Sequence, residues 1–242
     1  MNASTSLRQP LTVLLAGGVL AALVGLAPTP VVVRDRFTDN SINNGLWLPH
    51  QFGVTNGTET HQRFEFNAAT NSGAASFAGL EVKNWGANWK QDFEIEIDYK
   101  LNVTNLTSNR EILLGVGLAL VGQFPEDFTG FGAYIGRDAN RIFLVIARYT
   151  DGGIVTFDET DITAAQGQLT VEWDRSSDQI SALADGQEVH LDGPYADLGA
   201  TYGGDPMVIS IGCLPLNGNR TFPGSRVWVD EFKFAGVKRT RL

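Results

Sequence analysis

From Asp92 to Leu101 the chain reads DFEIEIDYKL, acidic and apolar residues in strict alternation. Side chains on an extended strand point to opposite faces with period two. Asp92, Glu94, Glu96 and Asp98 therefore share one face, and Phe93, Ile95, Ile97 and Tyr99 share the other. One wet face and one apolar face mark an antiparallel strand that covers a core through one side. The same pattern returns in LTVEWD, where Leu169, Val171 and Trp173 fall together. Read this way, the chain beyond residue 30 predicts thirteen strands: 31–37, 64–68, 75–83, 93–103, 111–120, 131–136, 142–149, 154–157, 167–174, 179–184, 187–190, 207–214 and 226–235.

Turn chemistry agrees. YTDGGIVTF and LADGQEV both place Asp-Gly between β-rich runs, a strong short-range hairpin signal. Thr160 to Gly167, TDITAAQG, is expected to form one short helix. With 242 residues, 43% of them hydrophobic, the chain can bury one sizeable core, and no linker or repeat divides it. The expectation is an all-β, two-sheet antiparallel sandwich of jelly-roll type spanning residues 31–242.

Residues 1–30 read differently. Arg8 precedes a run without charge from Leu11 to Ala27, followed by PTP, the pattern of a secretory signal peptide. Cleavage after Ala27 would leave Pro28 first, which signal peptidases handle poorly, so an uncleaved N-terminal anchor is the alternative and the only membrane attachment expected. In either case the folded part lies outside the cytoplasm, secreted or at the cell surface. Five Asn-x-Ser/Thr sequons, at Asn2, Asn56, Asn102, Asn105 and Asn219, matter only in a host that glycosylates secreted proteins.

A net charge of −9 disfavours nucleic acid or an anionic membrane surface as partner. Cys213, alone in MVISIGCLPL, can form no intramolecular disulfide and reads as a small buried hydrophobe. His50, His61 and His190 lack metal-ligand spacing, and no catalytic triad or phosphate-binding loop is visible.

Three stretches carry a family likeness. RDRFTDNSINNGLW (34–47), GQLTVEWDRSSDQISALADGQEV (167–189) and RVWVDEFKF (226–234) resemble the opening strand and loop, the paired strands closed by a hairpin, and the last strand of concanavalin A-like lectin/glucanase domains. That resemblance implies two curved sheets, with a ligand groove on the concave one. The fold serves lectins, binding modules, hydrolases and lyases alike.

The resemblance supplies three candidate sites. Glu94, Glu96 and Asp98 match the spacing of the acids that retaining glucanases carry on a strand, with Glu94 in the nucleophile's place and Asp98 in that of the acid/base. The outer α-carbons would lie about 13 Å apart on an ideal strand, whereas a retaining mechanism needs carboxyls about 5 Å apart. Glu and Asp also stand where the family has Asp and Glu, so a solvated face is the competing reading. Asp230 matches the family's structural calcium ligand, with the backbone carbonyls of Arg36 and Phe37 as companions; the plainer role is a strand cap or a pairing with Arg. Trp85 and Trp89 in NWGANWK, with Phe131 and Tyr134 in FPEDFTGFGAYIG, would stack on sugar rings if exposed. Trp47, Trp173 and Trp228 are assigned to the core. The function expected is a carbohydrate-binding or adhesion module without catalysis, its partner a polysaccharide or glycan. A retaining β-glycan hydrolase and a structural surface protein are the alternatives.

Overall fold

The computed structural model describes residues 30–53, 55–67, 76–103, 111–122, 127–195, 198–201, 205–216 and 225–239. The leader, Asn105 and Asn219 lie outside these residues. Sixteen strands are formed among them: β1 (Val31–Asp35), β2 (Trp47–Phe52), β3 (Asn56–Thr60), β4 (Arg63–Asn67), β5 (Phe77–Val82), β6 (Trp85–Gly86), β7 (Phe93–Asn102) and β8 (Glu111–Val121). After them come β9 (Thr129–Arg137), β10 (Ile142–Thr150), β11 (Gly153–Ile162), β12 (Gln166–Asp174), β13 (Gln179–Ala184), β14 (Gln187–Asp192), β15 (Val208–Leu216) and β16 (Arg226–Lys238). A single helical turn, α1 (Leu198–Thr201), precedes β15.

The strands build two antiparallel sheets. Sheet A runs β14-β13-β12-β7-β16-β4-β3, with β1 and β6 also on β16; sheet B runs β11-β10-β9-β8-β15-β5-β2. The expected sandwich is therefore the fold. Its core lies between the sheets, where Ile95, Ile97, Val227 and Phe232 of sheet A meet Leu114, Val116, Ile211 and Trp47 of sheet B, all essentially sealed from solvent. Each such side chain contributes about 1.5–3 kcal/mol by leaving water. Trp47 anchors the chain start: its ring stacks on Phe37 and meets Phe232 edge-on, and Asp35 Oδ2 accepts its indole N–H at 2.7 Å.

The Asp-Gly pairs turn as expected. Asp151-Gly152 and Asp185-Gly186 both hold φ between 50° and 73°, the left-handed pair that matches the twist of a hairpin. His61 and Gln62 make the same turn between β3 and β4 without glycine. The helix expected at residues 160–167 is absent: β11 continues through Ile162, and Asp185 accepts the Thr163 and Ala164 N–H groups and the Thr163 hydroxyl. A carboxylate from a neighbouring hairpin thus satisfies the donors a helix start would leave open.

Candidate functional site

The acidic row lies on the outer face of sheet A, since Phe93, Ile95, Ile97 and Tyr99 point into the core. Glu96 Oε1 accepts a hydrogen bond from Lys233 Nζ at 2.9 Å, and Asp98 Oδ1 accepts one from Gln168 Nε2 at 3.3 Å. Arg34 pairs with Glu231 beside them. These residues line a shallow depression of about 290 Å³. A hydrogen bond with Glu96 raises the Glu94 pKa, and partial burial adds to this. The Lys233 contact lowers the Glu96 pKa, with the Glu94 hydrogen bond acting in the same direction. Glu94, Glu96 and Asp98 are thus brought together, on a face laced by opposite charges.

Asp230 sits at a bulge of β16, where the ladder slips between Val229 and Glu231. β1 ends at Asp35 opposite Phe232, and Arg36 Nε follows 3.8 Å from Oε2 of Glu231, the neighbour of Asp230 in the chain. The charges around Asp230, however, include Arg63 and Lys100 as well as Asp98, and burial is the first cause that raises its pKa. Arg63 and Lys100 face the Asp230 and Asp98 carboxylates, and cations there compete with a divalent ion for the same oxygens. Among the described residues no group of three or more His, Cys, Asp or Glu side chains could hold a metal.

The aromatics divide. Trp89 is 2% exposed and lies in the core beside Trp173, whose indole N–H binds the Trp89 carbonyl at 3.0 Å. Phe131 is also in the core, edge-on to Tyr195. Burial takes both rings out of a ligand's reach. Trp85 is half-buried against the core at the β6–β16 pairing. Trp47 and Trp173 are core residues as expected, and Trp228 is buried too, at 5% exposed, but outside the inter-sheet cluster. It lies on the outer side of sheet A, covered by Arg63 at 4.1 Å and Lys100 at 5.1 Å from its ring centroid.

Tyr134 alone of the four predicted ligand aromatics sits on the outer face of sheet B, and that face is unlike its counterpart. Two rows of opposed residues cross all seven strands. One is His50, Gly79, Gly212, Gly115, Tyr134, Val145 and Glu159; the other is Leu48, Glu81, Ser210, Gly117, Gly132, Ala147 and Phe157. Five glycines in the central strands leave a backbone trough across the strands, and all five are buried. Flanking rings lie down on its floor. A Cβ on Gly132 would meet Tyr134 Oη at 2.2 Å, and a Cβ on Gly79 would meet Phe77 Cζ at 2.5 Å. Phe77, Phe128, Tyr134, Phe143 and Tyr149 thereby form a second apolar cluster outside the main core. Burial pushes the Tyr149 hydroxyl up to about 12, and that of Tyr134 higher still.

The trough has a polar end and an apolar end. At the first, Glu81 Oε2 lies 2.9 Å from His50 Nε2 and Glu81 Oε1 accepts from Arg239 Nη1 at 3.2 Å. The His50 hydrogen bond, then that of Arg239, lowers the Glu81 pKa. With Ser210, Phe77 and Phe128 this cluster bounds a pocket of about 30 Å³, the size of one water. At the other end Phe157 is 60% exposed on the edge strand, beside Glu159 and Arg141. The available sequence signal was glycine at period two within apolar runs, LLGVGLAL and TGFGAYIG, which marks a strand face stripped of side chains.

No protein family and no curated protein matches the sequence. Solved structures do match. A laminarinase from Flavobacterium sp. UMI-01 aligns with a TM-score of 0.57 at 13% identity over 84% of this chain and 98% of its own. The carbohydrate recognition domain of Emp47p gives 0.55 at 12% identity over 86% and 96%. A legume lectin-like domain from Entamoeba histolytica gives 0.51 at 11% identity over 78% and 90%. Identities this low establish shared architecture, and the named neighbours include both lectins and hydrolases.

Proposed function

This chain has the concanavalin A-like lectin/glucanase fold, and on that premise we propose that it is an extracytoplasmic glycan-binding module without catalysis, whose ligand lies across the outer face of sheet B. The glycine-floored trough carries this reading. It offers a flat floor of glycine backbone with rings packed on it, the exposed ring of Phe157 at one end, and the hydrogen-bonding groups of His50, Glu81 and Ser210 at the other. Sugar rings stack their C–H faces on aromatic rings while hydroxyls take polar partners. Six inter-strand steps of about 4.8 Å make the face roughly 29 Å wide, enough for an extended oligosaccharide. An extracytoplasmic setting agrees with the signal-like segment in residues 1–30.

A retaining hydrolase is the second reading, favoured by a pKa split, Glu94 raised and Glu96 lowered, of the kind an acid and a nucleophile require, but with Glu94 as the acid and Glu96 as the nucleophile in place of the expected Glu94 and Asp98. Against it stands the setting, an open face where Lys233 and Gln168 already engage the acids. The full chain incubated with soluble and insoluble polysaccharides, with retained protein and released reducing ends both measured, separates the two. Retention without release, weakened by Phe157→Ala, is expected. Release abolished by Glu94→Gln would establish the hydrolase, and neither retention nor release would leave no glycan function.

A further inference from the structure

At the polar end of the trough the two walls of the small pocket differ in kind. Phe77, Ala119, Phe128 and Val208 make one, and His50, Glu81 and Ser210 make the other. The space between them is about 30 Å³. A water molecule fits that volume but needs roughly two to four polar partners, and only one wall carries any. A methyl group is of similar size, and contact with the apolar wall takes it out of water, which favours binding.

The polar wall is only partly engaged. Glu81 Oε2 lies 2.9 Å from His50 Nε2, and Glu81 Oε1 accepts from Arg239 Nη1 at 3.2 Å. Each carboxylate oxygen therefore holds a partner and keeps a lone pair. The Ser210 hydroxyl makes no hydrogen bond to another described residue. It leans over Gly117, where a Cβ would come within 2.7 Å of its Oγ, and so stands between the pocket and the glycine floor. The His50 and Glu81 side chains are both partly exposed, within reach of a ligand lying on the face.

A spare donor, a spare acceptor and an apolar seat for one methyl are the complement of an acetamido group, whose carbonyl accepts, whose N–H donates and whose tip is a methyl. We propose that this pocket receives the acetamido group of an N-acetylated amino sugar, so that the glycan lying across sheet B contains N-acetylhexosamine units. The proposal rests on the glycan-binding reading above and narrows it to a ligand class. Ser210 donates to the acetamido carbonyl, Glu81 accepts the amide N–H, and the methyl lies against Phe77 and Phe128. A hydroxyl in its place leaves the apolar seat empty, and the methyl of a deoxy sugar leaves both polar groups unmatched.

The test is retention of the full chain on chitin and mucin against cellulose and laminarin, with free sugars as competitors. Retention on an N-acetylated glycan is expected, displaced by N-acetylglucosamine or N-acetylgalactosamine at about one tenth the concentration of glucose or galactose. Ser210→Ala, which removes the donor, and Ala119→Val, which fills the seat, should each shrink that preference to about threefold or less while circular dichroism stays native. Retention on the glucans without preference for acetylated competitors would overturn the proposal and leave the glycan reading standing. A preference that survives both substitutions would overturn it too, and no retention on any of the four would remove both readings.

Discussion

If Tyr134 lies flat because Gly132 has no side chain, then adding a methyl group there must lift the ring. In Gly132→Ala the new Cβ would sit 2.2 Å from Tyr134 Oη, 2.4 Å from Cε2 and 2.5 Å from Cζ. Carbon atoms rest at about 3.5–4.0 Å, so the ring must move by more than about 1 Å. Tyr134 is buried in a cluster with Phe143 and Tyr149, and has no vacant volume to move into without displacing neighbours. Overpacking of this kind costs about 1–3 kcal/mol. Truncation of the ring alone, Tyr134→Ala, should cost about 3–5 kcal/mol, as for other buried aromatics. In that truncated background the clash is gone, and Gly132→Ala should become neutral or gain about 0.5–1 kcal/mol from reduced chain entropy. The two changes are therefore coupled by roughly 1–4 kcal/mol. Urea unfolding followed by tryptophan fluorescence, run as a double-mutant cycle, measures this directly. Additivity within about 0.5 kcal/mol would refute the ring-on-glycine packing.

Three further outcomes follow from the same geometry. Trp47→Phe keeps an aromatic in the core but strips Asp35 of its indole donor, and should cost about 1.5–3 kcal/mol in urea unfolding. Glu81 has a lowered pKa, so its stabilising contacts with His50 and Arg239 are present above the ordinary carboxylate value of 4.5 and vanish as pH falls through its folded value. Glu81→Gln should flatten that acid limb of the Tm profile and leave a limb elsewhere intact. Cys213 is fully buried and its thiol pKa raised by burial, so a thiol reagent should label it only at the rate of unfolding, and labelling faster than unfolding would contradict its placement.

The strands at the centre of each sheet were legible from the sequence because both their faces carry a signal. β7 and β12 alternate, and β8, β9 and β10 run apolar enough to announce burial. The strands that escaped are β2, β3 and β6. WLPHQF and NGTET form the edges of sheets B and A, where one side is unpaired and the apolar requirement is weakest. Pro49 is tolerated in β2 for that reason. The wet face of DFEIEIDYKL was readable from its own spacing, and Lys233 and Gln168 now supply the partners that sequence could not. The trough was missed because its floor is made by glycines, and which rings lie over them is set by cross-strand register that sequence does not show. His50 and Glu81 are 31 positions apart and meet only because β2 pairs with β5.

Affinity electrophoresis of the full chain through gels containing the retaining polysaccharide shows which sheet face meets the ligand. Three forms suffice: the native chain, Phe157→Ala on the outer face of sheet B, and Lys233→Gln on the outer face of sheet A. The account predicts that Phe157→Ala loses most of the retardation, while Lys233→Gln runs as the native chain does once its charge change is corrected in a gel without glycan. Retardation that survives Phe157→Ala and fails in Lys233→Gln would move the ligand to the charged face and contradict it.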